Sequence, residues 1–194
     1  MKLDKVLMSY VNKGKGKKYK REIGRYWASD LYRIKNRYLT PENFFEKQEI
    51  EIEGCRMILT GIAMEDMLTK IFENQEMDCL PQEKNVLKIS DEISLVVKPD
   101  YVFKDFVVET KFPFSAFNPY EIPRRYEYQL ECEYRAFEPR EVYLALFSVP
   151  FNLTFIPYTP SQRRWKNIQK VLLNFHAELK EYLTMDAHEG KENQ

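Results

Sequence analysis

Residues 98–112, KPDYVFKDFVVETKF, constrain this chain more than any other segment. Val96 to Phe103 and Phe106 to Phe112 are rich in Val, Phe and Tyr and read as two strands, with Lys104 and Asp105 as the turn between them. A two-residue hairpin loop places Asp100 directly opposite Glu109. Lys111 then shares the face of Glu109, because strand side chains repeat every two residues. Carboxylates opposed in this way stand about 5 Å apart and destabilise the ladder unless a cation joins them. A hard divalent metal ion, which takes oxygen ligands, meets that requirement.

A further acidic residue joins the pattern from a helix. Residues Arg56 to Asn74 project Ile58, Ile62, Leu68 and Phe72 as one apolar stripe, and Glu65 falls inside it while Asp66, Lys70 and Glu73 lie on the polar side. An isolated buried carboxylate costs several kcal/mol, so Glu65 requires a partner, either a structural ion pair or a metal.

Gly61 with Glu65 four residues on, then Pro99-Asp100, then Glu109-Thr110-Lys111, then Gln129 on a following helix resembles the motif series of the PD-(D/E)xK nucleases, and within them the RecB and Cas4-like branch. The run from Trp27 to Tyr32, followed by Arg37-Tyr38, resembles the opening motif of that branch. The resemblance spans about Ser29 to Arg135 and implies a mixed α/β fold: a restriction-endonuclease-like core whose central mixed sheet of four or five strands is flanked by helices. It also implies Mg²⁺ or Mn²⁺ held by Glu65, Asp100, Glu109 and the Thr110 carbonyl, with Lys111 and Gln129 completing the catalytic set.

This chain departs from the branch in three places. Glu65 stands where the branch usually has His, and Glu still supplies an oxygen ligand. The branch places Tyr four residues after Gln, whereas here that position is Glu133 and Tyr134 follows it, about 100° further round the helix. Cas4 proteins commonly hold an iron–sulfur cluster, which needs about four thiolates. This chain has three cysteines, Cys55, Cys79 and Cys132, so no cluster is expected.

The net charge of zero conceals an uneven distribution. Residues 1–37 carry twelve Lys and Arg against Asp4, Glu22 and Asp30, a net +9 that the remainder balances with −9. Such a block suits a phosphate backbone, and Lys15, Lys17, Lys18, Arg21 and Arg25 are its candidate DNA contacts, joined by Arg124 and Arg125 at the start of a later helix. Tyr19, Tyr26, Trp27 and Tyr32 are interleaved with the block and serve either to stack bases or to dock a helix on the core. The uneven cysteine spacing suits reduced thiols in a cytoplasm, that of a host if the chain is viral. No segment approaches the roughly 20 apolar residues of a membrane span, and the first residues lack a signal-peptide core. Neither histidine, His176 or His188, has a second ligand at zinc spacing, and no Walker-type phosphate loop is present.

Residues 1–185 are expected to form one domain with a basic N-terminal helical region over 1–37, followed by a disordered tail over 186–194. Between these limits the pattern predicts a strand over Glu49–Glu53, the Glu65 helix, and a strand near Val86–Ile89. After the hairpin and a loop from Pro113 to Pro119 come a helix from Pro123 to Phe137, a buried strand over Val142–Phe147, and a last helix from Ser161 to Leu183. The functional expectation is a metal-dependent deoxyribonuclease acting on single-stranded DNA ends or flaps, Cas4-like, with a homo-oligomer compatible with the pattern. A Holliday-junction resolvase-like endonuclease, an RNA-directed nuclease and a non-catalytic DNA-binding subunit are the alternatives.

Overall fold

The computed structural model describes residues 5–6, 8–11, 21–46, 51–113, 118, 121–148 and 152–192. The hairpin lies inside a five-stranded sheet. After β1 (Arg25–Trp27), a 3-10 turn (Ala28–Asp30) and the short α1 (Leu31–Lys35) comes the long α2 (Ile52–Asn74). Then follow β2 (Cys79–Pro81), β3 (Asn85–Lys88), β4 (Ser94–Val97), β5 (Tyr101–Phe103) and β6 (Phe106–Lys111). The chain closes with α3 (Arg124–Phe137), β7 (Glu141–Ser148), β8 (Asn152–Pro157) and α4 (Gln162–Glu192).

The larger sheet has the order β2-β5-β6-β7-β8 and is mixed, with β6 and β7 parallel and the other neighbours antiparallel. The parallel pair requires a crossover, and α3 supplies it. A smaller sheet, β1-β4-β3, pairs β1 with β4 in parallel and β4 with β3 in antiparallel. Helices flank the sheets, which makes this the expected mixed α/β architecture.

Strand alternation assigns each face of the large sheet to one helix. Val108, Ala145 and Phe147 turn toward Leu68 and Phe72 of α2, together with Tyr101 and Phe103. Val107, Leu144 and Leu146 turn the other way, toward Leu130 of α3 and Ile156 of β8. The third cluster joins the small sheet to α1, α3 and α4 through Tyr26, Leu31, Leu95, Cys132, Ile168 and Phe175. Tyr26 ties this cluster further by a 2.7 Å hydrogen bond between its hydroxyl and His176 Nδ1 on α4. Gly24 lets β1 approach β4: its φ is +80°, and a Cβ there would stand 2.3 Å from the Glu92 carbonyl oxygen.

Four expectations are corrected. Val96 to Phe103 is not one strand; β4 belongs to the small sheet and β5 to the large one, with the chain crossing between them through Lys98, Pro99 and Asp100. Proline has no N–H for a ladder, which is why pairing stops there. The strand expected over Glu49–Glu53 is absent from its described part, because Ile52 and Glu53 open α2. Residues 49–50 lie outside the described residues. Within α2 only part of the expected stripe is buried: Leu68 and Phe72 pack on the sheet, but Ile62 is 42% exposed. The last helix also runs on to Glu192, past Leu183 and through most of the expected tail. The loop after β6 lies largely outside the described residues.

One buried acid ties α3 to the β8–α4 junction. Glu131 is fully buried and accepts hydrogen bonds from Arg135 Nε (3.0 Å), the Tyr158 hydroxyl (2.5 Å) and the Ser161 backbone N–H (2.8 Å). Replacing it by Ala strands Arg135 and the Ser161 N–H. Arg135 keeps 27% side-chain exposure and can rehydrate, so Glu131→Ala is expected at the low end of the range for a broken buried pair, about 3 kcal/mol. Thermal unfolding followed by circular dichroism should fall by roughly 10 °C; an unchanged midpoint would refute this role.

Candidate active site

The hairpin has the expected register: Tyr101 pairs with Val108 and Val102 with Val107. Asp100 therefore enters β5 opposite Glu109. Its carboxylate bends across to Thr110, accepting from the backbone N–H at 2.7 Å and from Oγ1 at 2.5 Å. Tyr101 fixes the neighbouring helix, donating its hydroxyl to the Glu65 carbonyl at 2.6 Å and meeting Thr69 Oγ1 at 2.9 Å. In this way β5 carries the anchor that sets Glu65 of α2 beside the strand pair, directly after Asp100.

Glu109 is 2% exposed and ion-paired with Lys111, while its second oxygen, Oε2, is buried without a hydrogen-bond partner. Burial pushes the Glu109 carboxyl above the usual range and repulsion from Asp100 adds to this, while Lys111 opposes both. Burial works against the Lys111 charge, but attraction to Glu109 and Asp100 outweighs it and the ammonium is held more firmly than usual. Glu65 is raised to about 7, first by burial and then by the negative charges of Asp100 and Glu109.

Glu133 takes a larger place than its sequence position suggests. It lies one turn after Gln129 on α3, is fully buried, and neither carboxyl oxygen has a partner in the hydrogen-bond network. Burial raises it well above the carboxylate range and the nearby Glu109 adds to the shift. Tyr134, one position on, instead packs with the Val107 cluster on the sheet face and lies under the Arg135 guanidinium. The extra 100° of helix rotation accounts for the difference.

A cavity of about 500 Å³ opens over this group, and Glu109, Lys111 and Gln129 line it. Arg21, Trp27, Ser29, Asp30 and Lys98 form the rest of its wall. The sequence pattern marked Arg21 and Trp27 by charge and by aromatic character, whereas Ser29, inside the Trp27–Tyr32 run, and Lys98, at the head of the 98–112 segment, were given no role. Arg21 is half-buried, 3.3 Å from Asp30, and donates to the Phe44 carbonyl. Tyr126 lies below Lys111, its ring centroid 5.9 Å from Nζ. Among the other candidate DNA contacts, Arg25 is exposed beside Glu22 (3.9 Å), Arg124 is exposed, and Arg125 is exposed over the Tyr126 ring. Lys15, Lys17 and Lys18 lie outside the described residues.

Among the described residues, no three His, Cys, Asp or Glu side chains converge closely enough to hold a metal ion as they stand. The donor chemistry nonetheless fits a hard divalent cation. The set is all oxygen, Glu109 Oε2 is orphaned and buried, and mutual repulsion raises Glu65 in a way that a cation would relieve.

No model of a known protein family matches this sequence, and no curated protein matches it. Solved structures do. The chain shares the fold of a group that includes an alkaline exonuclease: LHK-Exo from Laribacter hongkongensis superposes with a TM-score of 0.63 at 13% identity, over 86% of this chain and 95% of that one. Its complex with dAMP matches to the same extent. SSO0001 superposes with a TM-score of 0.71, also at 13% identity, over 89% of this chain and 85% of that one.

The raised Glu65 has a measurable consequence. Its folded pKa of about 7 exceeds its unfolded value, so its neutral form favours folding. That contribution is fully present below the unfolded pKa and is lost as pH rises through about 7. In EDTA the melting temperature is expected to fall between about pH 4.5 and pH 7, less so in Glu65→Gln, and added Mn²⁺ should restore more stability at pH 8 than at pH 5. Equal Mn²⁺ stabilisation at both pH values would contradict a carboxylate cation site.

Proposed function

We propose that this protein is a metal-dependent DNA nuclease that hydrolyses phosphodiester bonds, acting on single-stranded ends or flaps. The carrying observation is that Glu65, Asp100, Glu109 and Lys111 lie within electrostatic reach of one another, with Glu109 and Lys111 on the wall of one cavity, on a fold shared with an alkaline exonuclease. Glu65, Asp100, Glu109 and the Thr110 carbonyl would hold Mg²⁺ or Mn²⁺, and the cation would supply charge neutralisation at the phosphate and an acidified water.

The chain's own groups do the rest. Lys111, kept protonated by its acidic neighbours and facing the cavity, donates to the phosphate oxygen that gains charge. Gln129, on the cavity wall, orients the attacking water or a substrate phosphate. Glu133 supports Glu109 and Lys111 from behind. The resemblance to the RecB and Cas4-like branch supports the choice of ends or flaps, and the protein acts in a cytoplasm without an iron–sulfur cluster. A second reading, a junction-resolving endonuclease, is favoured by the glutamate at position 65 and requires a dimer. A non-catalytic DNA-binding subunit has no use for all four charged residues.

End-labelled single-stranded, duplex and four-way-junction DNA, incubated with Mg²⁺, Mn²⁺ or EDTA, tests the proposal. Lys111→Ala and Glu109→Ala are each expected to lower cleavage on the order of 100-fold or more, with DNA affinity nearly unchanged. Retained cutting by Lys111→Ala would refute its role. A wild type that binds DNA and cuts none of these substrates would leave the non-catalytic reading.

A further inference from the structure

A second cavity, of about 710 Å³, opens beside α3. Lys35 from α1, Arg124 and Tyr128 from α3, and Arg163, Arg164 and Asn167 from α4 line it. Arg164 is neutralised by Glu127 (3.2 Å) and lies 3.7 Å from Glu131, and it donates to the Tyr158 hydroxyl at 2.6 Å. Lys35, Arg124 and Arg163 differ: all three are exposed, and none has a carboxylate partner among the described residues. Lys35 is held over the Tyr128 ring, 4.6 Å from its centroid, and the hydroxyl of that tyrosine accepts from Asn167 Nδ2. Arg163 stands in the first turn of α4, where a cation opposes the helix dipole, so stability does not account for it.

The two cavities draw residues from neighbouring positions of the same elements. The 3-10 turn and α1 contribute Ser29 and Asp30 to the catalytic cavity and Lys35 to the second, while α3 contributes Gln129 to the first and the adjacent Tyr128 to the second. The three cations come from three helices, and all of them line the one cavity. Several cations without carboxylate partners on one cleft suit the successive phosphates of a polynucleotide strand. We infer that the Lys35–Arg124–Arg163 cleft is a track for the sugar–phosphate backbone of the DNA strand that runs away from the scissile bond. The inference rests on the nuclease reading above and adds where the rest of the strand lies.

The test measures binding of a long, labelled single-stranded oligodeoxynucleotide in EDTA over a salt series, and cleavage in Mn²⁺ of that strand and of a short oligonucleotide that fills the catalytic cavity alone. The double variant Lys35→Gln/Arg163→Gln removes two exposed cations and should melt like wild type. Loss of two phosphate contacts is expected to reduce the slope of log affinity against log salt by about 1.4. Affinity for the long strand should fall about tenfold or more at low salt, with cleavage of the short substrate unchanged. If wild type binds and cuts while the double variant shows the same long-strand affinity and slope, the track is refuted and the nuclease reading stands. Equal losses on long and short substrates also refute it. If wild type neither binds nor cuts DNA, both readings fall together.

Discussion

Asp100 crosses a strand boundary to bind Thr110, and much of the architecture hangs on that double hydrogen bond. The chain leaves the small sheet at Val97 and enters the large one at Tyr101, so Asp100 stands at the hinge between two layers. By satisfying the N–H and hydroxyl of Thr110, its carboxylate locks that hinge to the end of β6. The flanking residues Glu109 and Lys111 are thereby turned toward α3, and Tyr101 next door clamps the Glu65 carbonyl of α2. Two adjacent side chains, Asp100 and Tyr101, thus tie the end of β6 and α2 to the same hinge.

The centre is a balance of like charges around a single ammonium. Glu65, Asp100, Glu109 and Glu133 all act on Lys111 or on one another. Buried carboxyls of this kind destabilise a fold unless they are protonated, paired or joined by a cation. Lys111 pairs Glu109 directly, which leaves Glu133 and Glu109 Oε2 unmatched. A site with that much uncompensated acid is built for a ligand more than for stability. By contrast, Glu131, only two residues from Glu133, meets hydrogen-bond donors at both oxygens and serves the fold.

The hairpin was legible in the sequence because a two-residue turn admits one register, and that register alone opposes Asp100 to Glu109. The crossover helix and β7 were legible from Pro123 and from an unbroken apolar run. Elsewhere local pattern misled. Glu-Ile-Glu-Ile-Glu alternates like a strand, yet acidic residues also favour a helix start, and Ile52 and Glu53 open α2. The stripe through Ile62 and Leu68 gave Glu65 the right side of α2 but not its depth, since Ile62 remains exposed. The burial of Glu133 was beyond reach, because the side of α3 that meets β6 is set by the path of the crossover and not by α3 itself. Local pattern gave Lys98 and Ser29 no role, and only tertiary structure brings them to the cavity.

The parallel pairing of β6 with β7 bears on the order in which this centre comes into being. The β5–β6 hairpin closes a loop of two residues, whereas β7 reaches β6 only after the intervening chain has formed α3. Short loops close with less entropy loss than long ones, so the opposed pair Asp100 and Glu109 meets first, while water still surrounds it. Docking of α3 and β7 then expels that water and brings Glu133 against charges already in place. The electrostatic penalty of the site is therefore concentrated in the final docking step, where a divalent ion in the surrounding solution would offset it and hasten maturation.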